Sequence, residues 1–329
     1  MANVLRPPPI FLAGPTAVGK SEIALLLAEK IGGEIISVDS MQVYRGLDIG
    51  TAKPSPEERA RVPHHLIDVV DLTEPFDAAQ FIRLATAAVA DITSRGHTPI
   101  FCGGTGLYFK AFLEGLGDSP PADEKLRAQL EATPSELLLK ELAEKDPVTY
   151  EKIDRQNPRR IIRAIEVIRL TGKRFSEQRA EWKSPLRAPS SRQQCAAGIL
   201  PAHESKTCSD SSHPAQLIAF SRVTADLHIR INSRVDTMFA RGLVDETRRL
   251  LEHGLAENKT AMQALGYRQV IEYLQGERSL PETIELVKIK TRQFAKRQMT
   301  WFKRQLNLQW IDLRADEPPQ ESVARLNIN

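Results

Sequence analysis

Residues 14–21 read GPTAVGKS, fitting the pattern G-x-x-x-x-G-K-[ST], and they follow the apolar run Ile10, Phe11, Leu12 and Ala13. In such a loop the glycines, here Gly14 and Gly19, let backbone N–H groups turn inward around an anion, with Pro15, Thr16, Ala17 and Val18 as the span between them. Lys20 adds charge, and the Ser21 hydroxyl can ligate Mg²⁺. The chemistry is phosphate binding of the kind found in ATP- and nucleotide-binding folds, but the spacing does not name the molecule that carries the phosphate. Asp39 ends a second apolar stretch, EIISVD, and is followed by Ser40 and Gln42. A carboxylate there can take a proton, ligate metal or cap the next turn. Thr105, in GGTG, poses a similar choice between helix N-cap and hydrogen-bond donor in the site. Enzymes that hydrolyse nucleoside triphosphates usually carry a second Mg²⁺-binding Asp at the end of another apolar strand. The stretch TPIFC ends in GGTG without an acid, which disfavours hydrolysis, although LIDVVD could supply Asp68 or Asp71.

A second signal is positive charge. KIKTRQFAKRQMTWFKR, from Lys288 to Arg304, holds seven basic residues and no acid, with Phe294, Trp301 and Phe302 interleaved. Arg292, Lys296 and Lys303 fall on one helical face, which suits a phosphate backbone. Arg155 to Arg174 is similarly basic against the single acid Glu166. One such run is usually a solvated helix face, whereas two favour a polyanionic partner such as RNA or DNA. Cys195, His203, Cys208 and His213 match no zinc-finger spacing, and His64 and His65 read as structural.

The elements that must position these residues alternate strand and helix. IFLAG leads through the loop into KSEIALLLAEKI, whose Ile23, Leu26, Leu27 and Ile31 recur at helical spacing. EIISVD, HHLIDVVD, TPIFC, QLIAFS and LQWIDL are further strand candidates, and DAAQFIRLATAAVADITSRG is helical. The pattern predicts an α/β fold: a P-loop parallel sheet core with an all-helical insertion and a helical C-terminal region. Residues 1–115 are the first part of the core, 116–183 the insertion, 184–215 a Ser-, Pro- and Ala-rich linker, and 216–329 the second part. Ligands of such sheets gather at the carboxyl ends of the strands, where the loop, Asp39 and Gly103 to Thr105 would converge.

The chain has 329 residues, 41% hydrophobic and 26% charged, which indicates a globular protein and excludes a disordered one. No window approaches the roughly 18 unbroken apolar residues of a spanning helix, and MANVLRPPPI lacks a signal-peptide core. With three cysteines and no C-x-x-C pair, disulfides are not expected, and the expected location is cytoplasmic.

The loop, DSMQVYRGLDIGTAKP from Asp39 to Pro54, GGTGLY from Gly103 to Tyr108, ALGYRQVIEYLQG and TRQFAKRQMTWF together resemble one family, the bacterial tRNA dimethylallyltransferases, or tRNA isopentenyltransferases. The resemblance runs from about residue 10 to 305 and lapses in the linker. It implies transfer of a dimethylallyl group from dimethylallyl diphosphate to N6 of adenine at position 37 of tRNA, with Mg²⁺ assisting and diphosphate released. It implies that Gly14 to Ser21 bind the donor diphosphate, that Asp39 is the base, that Thr105 holds the reacting groups, and that Arg230, in LHIRI, contacts the diphosphate. It further implies tRNA contacts by Asp39, Ser40, Met41, Gln42, Thr105, Arg127, Arg159, Arg160, Arg163 and Gly266, and by Arg292, Lys296 and Arg297 of the basic helix. The tRNA anticodon arm would supply the large interface to a monomer, with the target base flipped from its stack. Phe294 replaces a usual Leu, and Thr224 stands where the family commonly has an arginine. A kinase using ATP on a small metabolite, or an RNA-binding protein whose loop senses nucleotide, are the alternatives that the loop alone allows.

Overall fold

The computed structural model describes residues 8–116, 120–178 and 216–328. The linker, with Cys195, His203, Cys208 and His213, lies outside the described residues. The described chain divides into two compact units with the break after Lys110; residues 111–178 form the smaller unit and the rest the larger.

In the larger unit, the strands β1 (Ile10–Ala13), β2 (Gly33–Val38), β3 (His64–His65), β4 (Thr98–Gly103), β5 (Gln216–Arg222) and β6 (Gln309–Leu313) form one sheet. Their order is β3-β2-β4-β1-β5-β6, and every neighbouring pair is parallel. Parallel strands need crossovers and are covered on both faces, which is why β1, β2 and β4 are buried throughout. The helices are α1 (Lys20–Ile31), α2 (Pro56–Arg61), α3 (Ala78–Ser94) and α4 (Gly106–Glu114), the last carrying the chain into the smaller unit. One core cluster gathers Leu12, Leu27, Ile100 and Phe220, and elsewhere Phe11 stacks on Phe101 at 4.7 Å between ring centres. The register aligns the strand ends: Ala13 pairs with Gly103 and Val38 with Gly103, so β1, β2 and β4 end level, with the loop, Asp39 and Gly104 just beyond. The run HHLIDVVD is strand only at His64–His65, because Leu66 and Asp68 adopt left-handed backbone (φ 61° and 56°) that breaks the pairing.

The smaller unit is helical: α5 (Glu124–Glu131), α6 (Ser135–Lys145), α7 (Pro147–Lys152), α8 (Pro158–Thr171) and α9 (Phe175–Gln178). Leu130, Leu138, Leu142, Ile161, Ile165 and Ile168 form its core. Asp146, fully buried, caps α7 through Thr149 and accepts the Ser176 N–H at 2.8 Å, tying α9 down. The chain then returns to the larger unit through β5, α10 (Thr224–Ala240), α11 (Leu243–Glu252), α12 (Tyr267–Leu274), α13 (Leu280–Gln305), β6 and α14 (Pro319–Ala324). The predicted strand QLIAFS is β5, and LQWIDL is β6. No described helix is long and apolar enough to cross a membrane.

Candidate active site

The loop starts where β1 ends and closes where α1 begins. Ala17 (φ 63°) and Gly19 (φ 106°) both take left-handed backbone, the alternation that turns successive N–H groups toward one concavity. Lys20, the first residue of α1, folds back so that Nζ donates to the Pro15 carbonyl at 3.1 Å. Desolvation holds its ammonium below the ordinary lysine range; Arg234 pushes it further down, and Asp39 pulls it back up. Ser21 follows as an exposed residue in the first turn of the helix.

Arginines surround the loop. Arg230 Nε donates to the Ala17 carbonyl at 2.9 Å, and Arg222 Nε to the Val18 carbonyl at 2.7 Å. Arg234, one turn beyond Arg230 on α10, is desolvated and feels the charge of Asp39. A groove of about 740 Å³ opens beside the loop, its lining including Lys20, Ser21, Ile229, Arg230 and Arg234.

Asp39 caps the turn and lends its charge to the loop. Its Oδ1 accepts the N–H groups of Met41 (2.8 Å) and Gln42 (3.3 Å), fixing the turn after β2. Its charge acts on Lys20 and Arg234. Thr105 Oγ1 accepts the Ser40 N–H at 3.1 Å, and the Gly104 and Thr105 N–H groups donate to the Val38 carbonyl, so the ends of β2 and β4 are joined. Among the described residues the Thr105 hydroxyl proton has no acceptor. Gln42 Nε2 donates to the Thr51 and Ala52 carbonyls, which folds the segment after Asp39 on itself, and the Ile49 and Gly50 N–H groups donate to Glu246, which ties it to α11.

Gln298, from α13, links loop and turn: its Oε1 accepts the Thr16 N–H at 2.9 Å, and its Nε2 donates to the Gly104 carbonyl at 2.9 Å. The Thr16 N–H, expected among those facing phosphate, is therefore taken by Gln298. A side chain at Gly104 would collide with Gln298 Nε2, and one at Gly106 with the Trp301 ring, so GGTG is small where α13 approaches.

Several proposed tRNA-contact residues have structural partners. Arg127 Nε pairs with Glu166 Oε1 at 2.9 Å and Arg163 with Oε2 at 2.6 Å, while Glu166 itself is fully buried. Arg169 pairs with Glu141, which the arginine holds down at a pKa of about 2. The basic run of the smaller unit is thus partly neutralised by carboxylates that the fold brings to it. Arg159 and Arg160, in the first turn of α8, are exposed. In the larger unit, Lys296 and Arg297 are exposed on α13, Arg292 donates to Asn232 at 2.7 Å, and Gly266 is buried at the start of α12. Asp68 is engaged by Lys53 and Arg59, and Asp71 by Arg45.

Arg222 and Arg234 are neighbours of the loop that sequence reasoning missed, and Gln298 entered it only as part of the motif TRQFAKRQMTWF. Each had a signal: Arg222 ends a strand as Asp39 does, Arg234 repeats Arg230 at helical spacing, and Gln298 is a polar residue in the buried stripe Ala295, Gln298, Phe302.

A family model described as IPP transferase matches residues 42–305. The tRNA dimethylallyltransferase 1 of Citrifermentans bemidjiense is 44% identical, spanning 92% of this chain and 91% of its own length. The tRNA dimethylallyltransferase of Geobacter sulfurreducens is 42% identical over 96% and 95%. Among solved structures, the tRNA isopentenylpyrophosphate transferase of Bacillus halodurans superposes with a TM-score of 0.66 at 37% identity, covering 97% of this chain and 94% of that one. A eukaryotic dimethylallyltransferase acting on tRNA gives a TM-score of 0.74 at 28% identity, covering 98% and 79%.

Proposed function

The chain belongs to the IPP transferase family, and on that premise we propose that it transfers the dimethylallyl group of dimethylallyl diphosphate to N6 of adenine 37 in the tRNA anticodon arm, releasing diphosphate. It is an enzyme, a tRNA dimethylallyltransferase. The observation that carries the finer reading is Asp39 beside Lys20: a carboxylate base next to a phosphate loop, with the candidate second acids Asp68 and Asp71 engaged elsewhere.

The allylic C–O bond breaks with positive charge growing on carbon and negative charge on the leaving diphosphate. Catalysis therefore requires donors aimed at that diphosphate, the role given to the loop N–H groups, Lys20 and Arg230. Bound diphosphate would restore to Lys20 the solvation that burial removes. Ser21 would hold Mg²⁺ together with phosphate oxygens, and the described residues contain no cluster of acids, His or Cys that could cage the ion alone. When bound, the ion neutralises charge on the departing diphosphate. The N6 amine is a weak nucleophile because its lone pair is shared with the ring. As the C–N bond forms, its proton goes to Asp39, whose Oδ1 is occupied by the turn and whose Oδ2 accepts no hydrogen bond from the described residues. Thr105 donates its hydroxyl proton to hold the reacting groups.

We assign tRNA contacts to Asp39, Ser40, Met41 and Gln42, to Arg159 and Arg160 in the smaller unit, and to Arg292, Lys296 and Arg297 in the larger. Arg127, Arg163 and Gly266 would contribute mainly by holding their neighbours in place. The protein would act as a monomer.

The test is Asp39→Asn. Asparagine Oδ1 can still accept the Met41 and Gln42 N–H groups, so the turn survives and only the charge and basicity go. Transfer should fall by about 100-fold or more, the usual yield of a positioned base, with pyrophosphate binding preserved. Wild-type turnover in this variant would sink the base assignment.

A further inference from the structure

Arg222 has no part in the reaction described above, yet its placement is unusual for a strand-end arginine. It closes β5, whose Ala219 lies beside Ala13 of β1, and so emerges next to the loop. Its side chain is only 6% exposed. Nε donates to the Val18 carbonyl at 2.7 Å, and NH1 donates both to Asp226 Oδ2 at 2.9 Å and to the Arg314 carbonyl at 2.7 Å. Among the described residues NH2 makes no hydrogen bond, and it comes within 3.6 Å of the point where a Gly19 side chain would begin; an NH2 of Arg230 comes equally close to the same point.

Two consequences follow from peptide geometry. A trans peptide unit is planar, with its C=O and N–H pointing in opposite directions. Holding the Val18 carbonyl therefore fixes the Gly19 N–H, one of the groups that an anion in the loop would meet. The neighbouring Ala17 carbonyl is held in the same way by Arg230. Together the two arginines keep consecutive peptide units of a strained loop in one orientation and bring two guanidinium ends to Gly19. Asp226 and the Arg314 carbonyl fix the Arg222 guanidinium, so it is ordered before any ligand arrives.

We infer that Arg222 is a positioning residue for the donor diphosphate: it presets the Val18–Gly19 peptide and, with Arg230, presents a paired cationic edge to the phosphate nearest Gly19. This inference rests on the diphosphate reading of the loop. Gly19 would have to remain glycine on separate grounds, since its left-handed backbone (φ 106°) strains any side chain there, while the two guanidinium groups stand at ordinary contact distance.

The experiment is titration of inorganic pyrophosphate with Mg²⁺ into wild-type protein, Arg222→Lys, Arg222→Gln and Asp226→Asn, followed by steady-state kinetics for dimethylallyl diphosphate and by tRNA binding. Lysine keeps a charge but cannot donate along Nε and NH2 together. Both Arg222 variants should bind pyrophosphate about tenfold or more weakly and raise the donor KM, with tRNA affinity unchanged. Asp226→Asn, whose amide oxygen can still accept from Arg222 NH1 and so keeps the guanidinium in place, should lower thermal stability through the lost ion pair and leave pyrophosphate affinity within about threefold of wild type. If the Arg222 variants bind pyrophosphate as wild type does, or if Asp226→Asn weakens it as much as they do, Arg222 is only a structural strut and the inference fails. If wild-type protein itself binds no pyrophosphate, the diphosphate reading falls and this inference with it.

Discussion

Gln298→Ala is the perturbation whose magnitude follows most directly from the structure. The side chain belongs to a residue only 9% exposed and makes two hydrogen bonds to backbone, from the Thr16 N–H and to the buried Gly104 carbonyl. Alanine removes both bonds at once and offers no replacement at that depth. A neutral hydrogen bond contributes ~0.5–1.5 kcal/mol net, so the pair accounts for about 1–3 kcal/mol of stability. The same two bonds connect the phosphate loop to the turn bearing Thr105, so donor binding should weaken too, by about tenfold if some 1.4 kcal/mol of that order is lost from the loop. Gln298→Glu sharpens the test. Its carboxylate can still accept from Thr16, but it sets an acceptor against the Gly104 carbonyl and a negative charge beside the anion site. It should impair pyrophosphate binding more than alanine does. Urea denaturation gives the stability change, and calorimetric titration of pyrophosphate gives the affinity. Stability within ~0.5 kcal/mol of wild type together with unchanged pyrophosphate affinity in Gln298→Ala would refute the linking role.

Lys20→Met should abolish pyrophosphate binding while raising the melting temperature of the ligand-free protein, because it removes a desolvated ammonium. The sign agrees with titration: the folded-state pKa lies below 10.5, so the unfolded chain binds more protons in that window and ligand-free stability rises with pH there. Pyrophosphate affinity should fall over the same alkaline window, and a flat affinity across it would contradict the assignment. Arg127→Ala or Arg163→Ala should each cost about 1–3 kcal/mol in urea denaturation, since each strips a charge-assisted bond from buried Glu166. Loss of tRNA affinity without loss of stability would instead make these arginines direct contacts. Replacing exposed Lys296 and Arg297 by alanine should weaken tRNA binding without destabilising the protein, and should reduce the slope of log affinity against log salt by roughly one for each phosphate that is no longer neutralised.

The sheet was legible in the sequence because buried parallel strands require unbroken apolar runs: IFLA, IISV and TPIFC mark β1, β2 and β4 directly. β3 is shorter than HHLIDVVD suggests, because left-handed backbone at Leu66 and Asp68 is a tertiary choice that no periodicity announces. In the site, Asp39 and the loop were legible because strand ends and glycine spacing carry a local signal. Thr16 shows the limit of that signal: the loop pattern places its N–H toward phosphate, and a glutamine 282 residues away takes it. The charge run from Arg155 to Arg174 is partly neutralised for the same reason. Glu166 is the only acid between Arg155 and Arg174, but folding lets it pair with Arg127 as well as Arg163, and Glu141 of another helix neutralises Arg169. Arg222 and Arg234 required the convergence of β5 and α10 on the loop before their role could be seen.

The most direct measurement is transfer of radiolabel from dimethylallyl diphosphate to unmodified tRNA with Mg²⁺ and no ATP, alongside a tRNA carrying guanine at position 37. Label on the adenine-containing tRNA alone, with one diphosphate released per group transferred, is the result expected. No label on either tRNA, in protein shown to be folded and to bind tRNA, would contradict the account.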